Sequence, residues 1–342
     1  MKARALRPGD VVGIIAPASP PRSEDRIEKS VRYFERLGYR VELGQHLRAA
    51  RGYLAGSDEE RLHDLHAMFG SKSVRAIFYH RGGYGSIRLL DRIDYDLVRQ
   101  NPKIIVGYSD ATSLFASLYK KARLRSCFFG PMPGVDLWDE VDPFTEENFW
   151  RAVTSTKPIG ALPYKGNSPS YEAERNRRGL RGGSVEHDAK ASNSTPRTPF
   201  LTEEGELVEG RMIGGNLTVF CSLMGTPYQP SFSNVIPILE EIDEKPRKVD
   251  AMLAQLRLAG LFEKATAVLL GNFTGCDRDP DAPTLTLSEI FGDSFSRLKK
   301  PVISGLPFGH EKQMWTLPFG VRLRINFERE GTTVSVVERV LE

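Results

Sequence analysis

Ile104-Ile105-Val106-Gly107-Tyr108-Ser109-Asp110 is the stretch on which the reading of this chain turns. An apolar run ends at Gly107, a hydroxyl stands two residues on, and residues 111–121 carry a helix-like pattern. A strand that turns sharply into a helix lifts the serine oxygen out of the sheet. It also aims the first N–H groups of the helix at whatever binds there. That geometry suits a nucleophile that forms, and then stabilises, an oxyanion. The plainer reading of the same residues is that Ser109 or Asp110 caps the helix with its side chain, the commoner use of such residues.

Outward from this stretch, strand and helix patterns alternate. Residues 11–16, 39–43, 74–79, 103–106 and 124–129 read as strands. Residues 22–37 carry Ile27, Val31, Phe34 and Leu37 at helical spacing, and Ser57-Asp58-Glu59-Glu60 opens a second helix through Phe69. This alternation predicts a parallel sheet with helices on both faces, whose ligands bind beyond the carboxyl ends of the strands. Residues 165–199 are rich in Gly, Ser, Asn, Arg and Pro and poor in aliphatics, which predicts a linker or surface loop. Its Arg175, Arg177, Arg178 and Arg181 read as a solvated charge run, with an acidic ligand as the less common alternative. After residue 206, strands at 207–212, 235–239, 265–270, 301–303, 321–326 and 333–340, with helices at 217–224 and 247–258, predict a second α/β unit of more antiparallel character. The expected fold class is α/β: an N-terminal parallel-sheet domain of flavodoxin- or amidotransferase-like type, and a C-terminal β-rich α/β domain. The expected domains are 1–163 with the nucleophile, 164–205 as linker or surface loop, and 206–342 with the acid and the base.

Bulk properties bound the function. At 342 residues the chain exceeds one ordinary core; it is 40% hydrophobic and 27% charged, as soluble globular proteins are. Forty-seven basic against 44 acidic residues leave a net charge of +3, and no basic stripe is interleaved with aromatics, so no nucleic-acid partner is expected. No apolar run approaches the ~20 residues that span a bilayer, so no membrane partner is expected either. The first ten residues carry positive charge without an apolar signal core, and the expected location is cytoplasmic. Cys127, Cys221 and Cys276 are widely spaced and read as buried small hydrophobes, not as a disulfide framework. His63-Asp64-Leu65-His66 could set two imidazoles on one helix face, but no third ligand follows at suitable spacing. The expected metal and cofactor content is therefore none.

Three further motifs stand where strands end. Arg81-Gly82-Gly83-Tyr84-Gly85-Ser86 lets backbone approach a ligand and offers N–H donors, although a simple tight turn reads as well. It matches neither G-x-x-x-x-G-K-[ST] nor G-x-G-x-x-G. Glu240, directly after the 235–239 strand, is placed to accept from an imidazole; with Glu241, Asp243 and Glu244 it could equally be a cation site or solvated acid. Gly305-Leu306-Pro307-Phe308-Gly309-His310 sets a histidine on a rigid turn, a better context for a base than an amphipathic helix, though a lone histidine is more often structural. Ser109, Glu240 and His310 then supply nucleophile, orienter and base.

Taken together, Gly9-Asp10 with Ile14-Ile15-Ala16-Pro17, Gly52-Tyr53-Leu54-Ala55-Gly56-Ser57-Asp58, Arg81-Gly82-Gly83-Tyr84-Gly85, Gly107-Tyr108-Ser109-Asp110, Gly214-Gly215-Asn216-Leu217, Leu239-Glu240-Glu241 and the 305–310 turn resemble the serine peptidase family of LD-carboxypeptidases and microcin-immunity proteins. The resemblance spans nearly the whole chain except about 140–205. It implies Ser109 as nucleophile, His310 as base and Glu240 as its orienter, with the backbone N–H groups of Asp110 and Gly83 as oxyanion donors. Arg81, Gly82 and Tyr84 are the expected substrate-binding residues. Glu241 stands where family members often carry Asp, so either glutamate can be the orienter. The implied reaction is hydrolysis of the terminal L,D-peptide bond of a murein tetrapeptide, releasing D-Ala. The alternative within the family is cleavage of a peptidyl- or aminoacyl-nucleotide, which an aromatic platform such as Trp138 or Trp150 would favour. The expected partner is thus a small peptide or peptidyl-nucleotide, and the expected assembly a homodimer. Two readings of another class stay open: a two-domain small-ligand binding protein without chemistry, and an amidotransferase-like enzyme using Cys127.

Overall fold

The computed structural model describes residues 2–164, 206–277, 279, 282–328 and 331–342; the 165–199 segment and its four arginines lie outside the described residues. Valine- and isoleucine-rich runs form the first sheet: β1 (Val11–Ile15), β2 (Arg40–Leu43), β3 (Val74–Tyr79), β4 (Ile104–Gly107) and β5 (Cys127–Phe129). β1 and β4 are buried along their whole length, as strands covered on both faces must be. The covering helices include α1 (Glu24–Arg36), α2 (Asp58–Gly70), α3 (Tyr95–Gln100), α4 (Ala111–Ser117) and α5 (Pro143–Thr154). These five strands run parallel in the order β2-β1-β3-β4-β5. The order reverses between β1 and β3, and a ligand crevice opens at the carboxyl ends of strands where such a reversal occurs. The turn after β1, the 81–85 loop after β3 and Ser109 after β4 all lie at those ends.

The second sheet joins β6 (Gly160–Ala161), β7 (Leu207–Asn216), β8 (Val235–Ile242), β9 (Val268–Thr274), β10 (Val302–Ile303), β12 (Arg322–Glu328) and β13 (Gly331–Val336) in the order β10-β9-β8-β7-β12-β13-β6. Its first four strands are parallel and the rest antiparallel. The helices α6 (Leu217–Cys221), α7 (Pro246–Leu258), α8 (Leu261–Lys264) and α9 (Leu287–Phe295) accompany it. Two short strands cross between the halves. Gly160 and Ala161 pair with β13 of the second sheet. β11 (Leu317–Pro318) pairs antiparallel with β5 of the first. Each covers a sheet edge that would otherwise stand open. The buried apolar residues form one continuous core across both halves, with Phe129 on Phe308 and Tyr119 on Phe319 at the junction.

Several boundaries differ from the sequence reading for identifiable reasons. The helix after Ser109 is α-helical only to Ser117, then widens to a π-turn at Leu118–Ala122 that ends on left-handed Arg123. β8 does not stop before Glu240 but runs on to Ile242, because its acids are buried instead of solvated. α5 has a mixed surface pattern that hid it, although Asp142 caps it through the Phe144 and Thr145 N–H groups and Pro143 opens it. Gly331 pairs with Glu328 as the first residue of β13.

Phe78 of β3 is fully buried between Phe34 and Phe149, at ring-centroid distances of 4.8 and 5.9 Å. Phe78→Ala is expected to destabilise the fold by about 3–5 kcal/mol, read as a lower urea midpoint. A loss under about 1 kcal/mol would mean that this layer is not close-packed.

Candidate active site

Ser109 occupies the turn between β4 and α4 with φ of 61°, a left-handed conformation that a non-glycine residue seldom adopts. Its neighbours Tyr108 and Asp110 are buried while Ser109 itself is partly exposed. Neither residue caps α4 through its side chain. The Asp110 carboxylate instead accepts the backbone N–H groups of Gly85 and Ser86, both at 3.0 Å. Burial raises the Asp110 pKa, and the Ser86 and Gly85 donors with nearby Arg61 oppose that rise.

This carboxylate fastens the glycine loop to the elbow. A side chain at Gly82 would lie 2.9 Å from Ser109 Cβ and 3.1 Å from its Oγ, so glycine is what allows the approach. Gly83 and Gly85 take positive φ. A buried arginine supports the loop from behind: Arg61 of α2 donates to Pro17 O at 2.6 Å and Gly85 O at 2.9 Å, and pairs with Asp58. Ser19 joins the turn after β1 to the loop, donating to Tyr53 O and accepting the Tyr84 N–H. Among the described residues the N–H groups of Gly83 and Asp110 have no protein acceptor. Arg81 donates to Pro20 O at 3.3 Å and has no carboxylate partner among the described residues. Tyr84 and Tyr53 form an exposed edge-to-face pair beside it.

The other half of the site comes from the second sheet. His310 Nδ1 lies 2.7 Å from Glu240 Oε2, and Glu240 has no exposure to solvent. A side chain at Gly309 would sit 3.1 Å from that carboxylate, so the 305–310 turn can dock here only with glycine before the histidine. Successive strand residues face opposite sides, and the pairing of β8 with β9 slips between Leu239 and Glu241. Glu240 therefore meets His310, while Glu241 turns to Asn216 Nδ2, the Thr218 N–H and hydroxyl, and the Ile242 N–H, at 2.7–3.0 Å. Burial raises the Glu240 pKa against the His310 charge. Burial alone would lower the His310 pKa, but the charge and hydrogen bond of Glu240, with Glu241 and Asp136 behind them, hold it above its ordinary value.

Two contacts join the halves beside the site. The Tyr108 ring stands edge-on to His310 with centroids 5.0 Å apart, and its hydroxyl faces Asp136 at 3.4 Å. Thr112 Oγ1 on α4 accepts the Asn216 N–H at 3.1 Å. Among the described residues no hydrogen bond joins the Ser109 hydroxyl to His310; in ligand-free sites such bonds commonly close only when substrate is present. Sequence reasoning missed Asp136, whose carboxyl burial pushes up to about 7 and whose Oδ2 accepts the Met132 N–H. It also missed Arg61, for which the capped helix at Ser57 was the available signal. Trp150 is used in packing, stacked on Tyr39 and bonded to Tyr33, and Trp138 lies under Arg26. Cys127 is fully buried and its thiol is held well above its ordinary pKa by burial, which removes it as a nucleophile.

Sequence models of the LD-carboxypeptidase N-terminal and C-terminal domains match residues 12–130 and 209–325. The chain belongs to the LD-carboxypeptidase family. It is thus a serine-type carboxypeptidase. It is 32% identical to a probable murein peptide carboxypeptidase of Bacillus subtilis, over 98% of this chain and 94% of that one. Microcin C7 self-immunity protein MccF, solved as a mutant with adenosine monophosphate, superposes with a TM-score of 0.84 at 26% identity, covering 100% of both chains. The muramoyltetrapeptide carboxypeptidase of Oxalobacter formigenes superposes with a TM-score of 0.76 at 27% identity, over 96% of this chain and 99% of that one. The expected family and its two-domain fold thus hold. No described helix is long and apolar enough to cross a membrane.

Gly82→Ala sets a methyl against Ser109 and is expected to lower kcat/KM by about 10²-fold or more while the thermal midpoint holds, since small misplacements at a reacting centre cost that much. Normal turnover in this variant would show that the loop does not border the reacting atoms.

Proposed function

We propose that this chain hydrolyses the terminal L,D-peptide bond of murein tetrapeptides and releases D-Ala by a Ser109–His310–Glu240 triad. The observation that carries the reading is a buried carboxylate 2.7 Å from the Nδ1 of His310, with a serine held on a left-handed strand-to-helix turn whose preceding residue, Tyr108, packs edge-on to that imidazole. Glu240 accepts the Nδ1 proton and so leaves the Nε2 lone pair for the nucleophile. Ser109 Oγ attacks the scissile carbonyl and its proton passes to His310. The tetrahedral oxyanion accepts the N–H groups of Gly83 and Asp110. Imidazolium then protonates the departing amine, and water, deprotonated by His310, releases the acyl group.

Arg81 supports a substrate that ends in a free carboxylate. It is a half-buried guanidinium beside the glycine loop without a carboxylate of its own among the described residues. Tyr84, exposed beside it, offers an aromatic face. A second reading, hydrolysis of a peptidyl-nucleotide, is favoured by the superposition on MccF holding adenosine monophosphate. Trp138 is engaged by Arg26, and Trp150 and Trp315 are used in packing, which leaves Tyr53 and Tyr84 as the exposed aromatics beside the loop.

Mass spectrometry of the products from a murein tetrapeptide and from an aminoacyl-sulfamoyl adenosine separates the two readings. D-Ala release from the first substrate alone is expected. Ser109→Ala and His310→Ala are each expected to reduce that release by about 10³-fold or more in folded protein, and Ser109→Ala to lose fluorophosphonate labelling. Near-normal turnover by Ser109→Ala would end the triad reading, and an unlabelled, inactive wild type would favour a pure binding protein.

The base must be neutral to accept a proton, so activity is lost as pH falls through the His310 pKa. With that pKa held up, the acid limb of kcat/KM is expected at higher pH than an ordinary histidine would set it. Glu240→Gln removes the raising charge, so the limb should move to lower pH while kcat drops about 10⁴-fold. An unmoved limb would show that the titrating group is not His310.

A further inference from the structure

Away from the cleft, the turn after β2 and one side of α2 bring His46, His63 and Asp64 together. His46 Nδ1 stands 2.9 Å from Asp64 Oδ1, and His63 Nδ1 stands 3.4 Å from the same oxygen. The two imidazoles meet edge to face with centroids 5.1 Å apart. We propose that these three side chains form a divalent-cation site that takes zinc, with two imidazole nitrogens and one carboxylate oxygen as ligands and water in the fourth position.

Four observations carry the assignment. The donor set, two imidazoles and a carboxylate, is one that zinc favours when a position stays open. The spacing also fits: tetrahedral zinc with ligands at ~2.0–2.2 Å sets them roughly 3.3–3.5 Å apart. The three ligand atoms here lie within 4.8 Å of one another, and the two imidazole nitrogens stand 2.9 and 3.4 Å from the carboxylate oxygen, so the ion draws them in by a few tenths of an ångström of side-chain rotation.

The carboxylate is held in advance. Asp64 is nearly fully buried, and its Oδ2 accepts the His46 backbone N–H at 2.9 Å, which turns Oδ1 toward the imidazoles. Gly44 leaves room for it, since a side chain there would collide with Asp64 Oδ2. Finally, the site is open, because the His63 side chain is 54% exposed.

The sequence suggested a His63–His66 pair on the helix and lacked a third ligand. The structure instead turns His66 away, where its Nε2 accepts the Asp94 N–H at 3.0 Å, and supplies His46 from the preceding turn. Zinc takes the Nδ1 lone pair of His46 in the Nε2–H tautomer, so the imidazole's single proton sits on Nε2 and the Nδ1–Asp64 hydrogen bond gives way to two bonds to the ion. Because α2 also carries Arg61, an ion here would pin the turn after β2 onto the helix that supports the glycine loop. The plainer use of the same atoms is a hydrogen-bonded clamp between turn and helix.

Calorimetric titration of the chelator-stripped full chain with zinc chloride decides between them. Cobalt chloride is the spectroscopic partner, read as the visible absorption of a tetrahedral ion. One ion per chain is expected, with a rise in thermal midpoint. His63→Ala and His46→Ala should each weaken zinc by about tenfold or more, and His66→Ala should leave it unchanged. Midpoints measured in chelator report that the variants fold. The assignment falls if binding is not saturable at one to one. It also falls if His66→Ala weakens zinc as much as His63→Ala does, or if zinc is lost in His310→Ala and kept in His63→Ala.

Discussion

A carboxylate with no access to water, Glu240, is the constraint around which the second half of the molecule is arranged. An ionised carboxylate taken out of water without a partner costs several kcal/mol, enough to consume a large part of the stability of a domain. Here the compensating donor is the His310 ring at 2.7 Å. The cost and its compensation lie on different elements, a central strand and a turn about seventy residues later. The fold must therefore seat that turn on the sheet. It does so through the Phe308 carbonyl, which accepts the Asn272 N–H at 3.0 Å, and through Gly309, whose missing side chain lets the turn close on Glu240. The interaction that offsets the buried charge is also the one that fixes the tautomer of the imidazole.

The first half carries a different cost. A serine in the left-handed region stores about 1–3 kcal/mol of backbone strain, which persists only where the surroundings over-determine it. Asp110 supplies part of that determination by binding two successive N–H groups of the glycine loop, and Arg61 holds the same loop from the other side through Gly85 O. The elbow and the loop are thus one unit, so the groups that border Ser109 cannot relax independently. Burial raises the Asp110 pKa only against these donors, which is the expected balance for an acid whose role is to hold backbone in place.

The parallel half of the fold was legible because its signals are local: apolar runs, a capping box at Ser57, and glycines or hydroxyls at strand ends. The second sheet was legible in kind but not in detail, since β6 and β11 are two residues long and exist only through pairing with distant strands. Ser109 and His310 were legible as turn residues and Glu240 as an acid at a strand end, and the family resemblance is what joined the three. The choice between Glu240 and Glu241 was not legible, because it depends on a slip in the pairing of β8 with β9, which no composition encodes. Asp136 was invisible for a related reason: its importance comes from Tyr108 and His310, which reach it from other elements.

The exchanged strands bear on how the two halves act together. Ser109 rides on the first sheet and His310 on the second, so any hinge between the sheets would alter the distance on which the proposed proton transfer depends. Opening such a hinge would break the β11–β5 and β13–β6 pairings and the Thr112–Asn216 bond, and would expose the aromatic contacts of Phe129 with Phe308. The β11–β5 pairing, the Thr112–Asn216 bond and the Phe129–Phe308 contact are buried, and an unmade buried hydrogen bond costs about 1–3 kcal/mol. Side-chain rotation about Ser109 and His310 costs far less than any such opening. In the proposed triad, closing the hydroxyl onto the imidazole is then a local adjustment within a fixed frame, and that frame is set by packing.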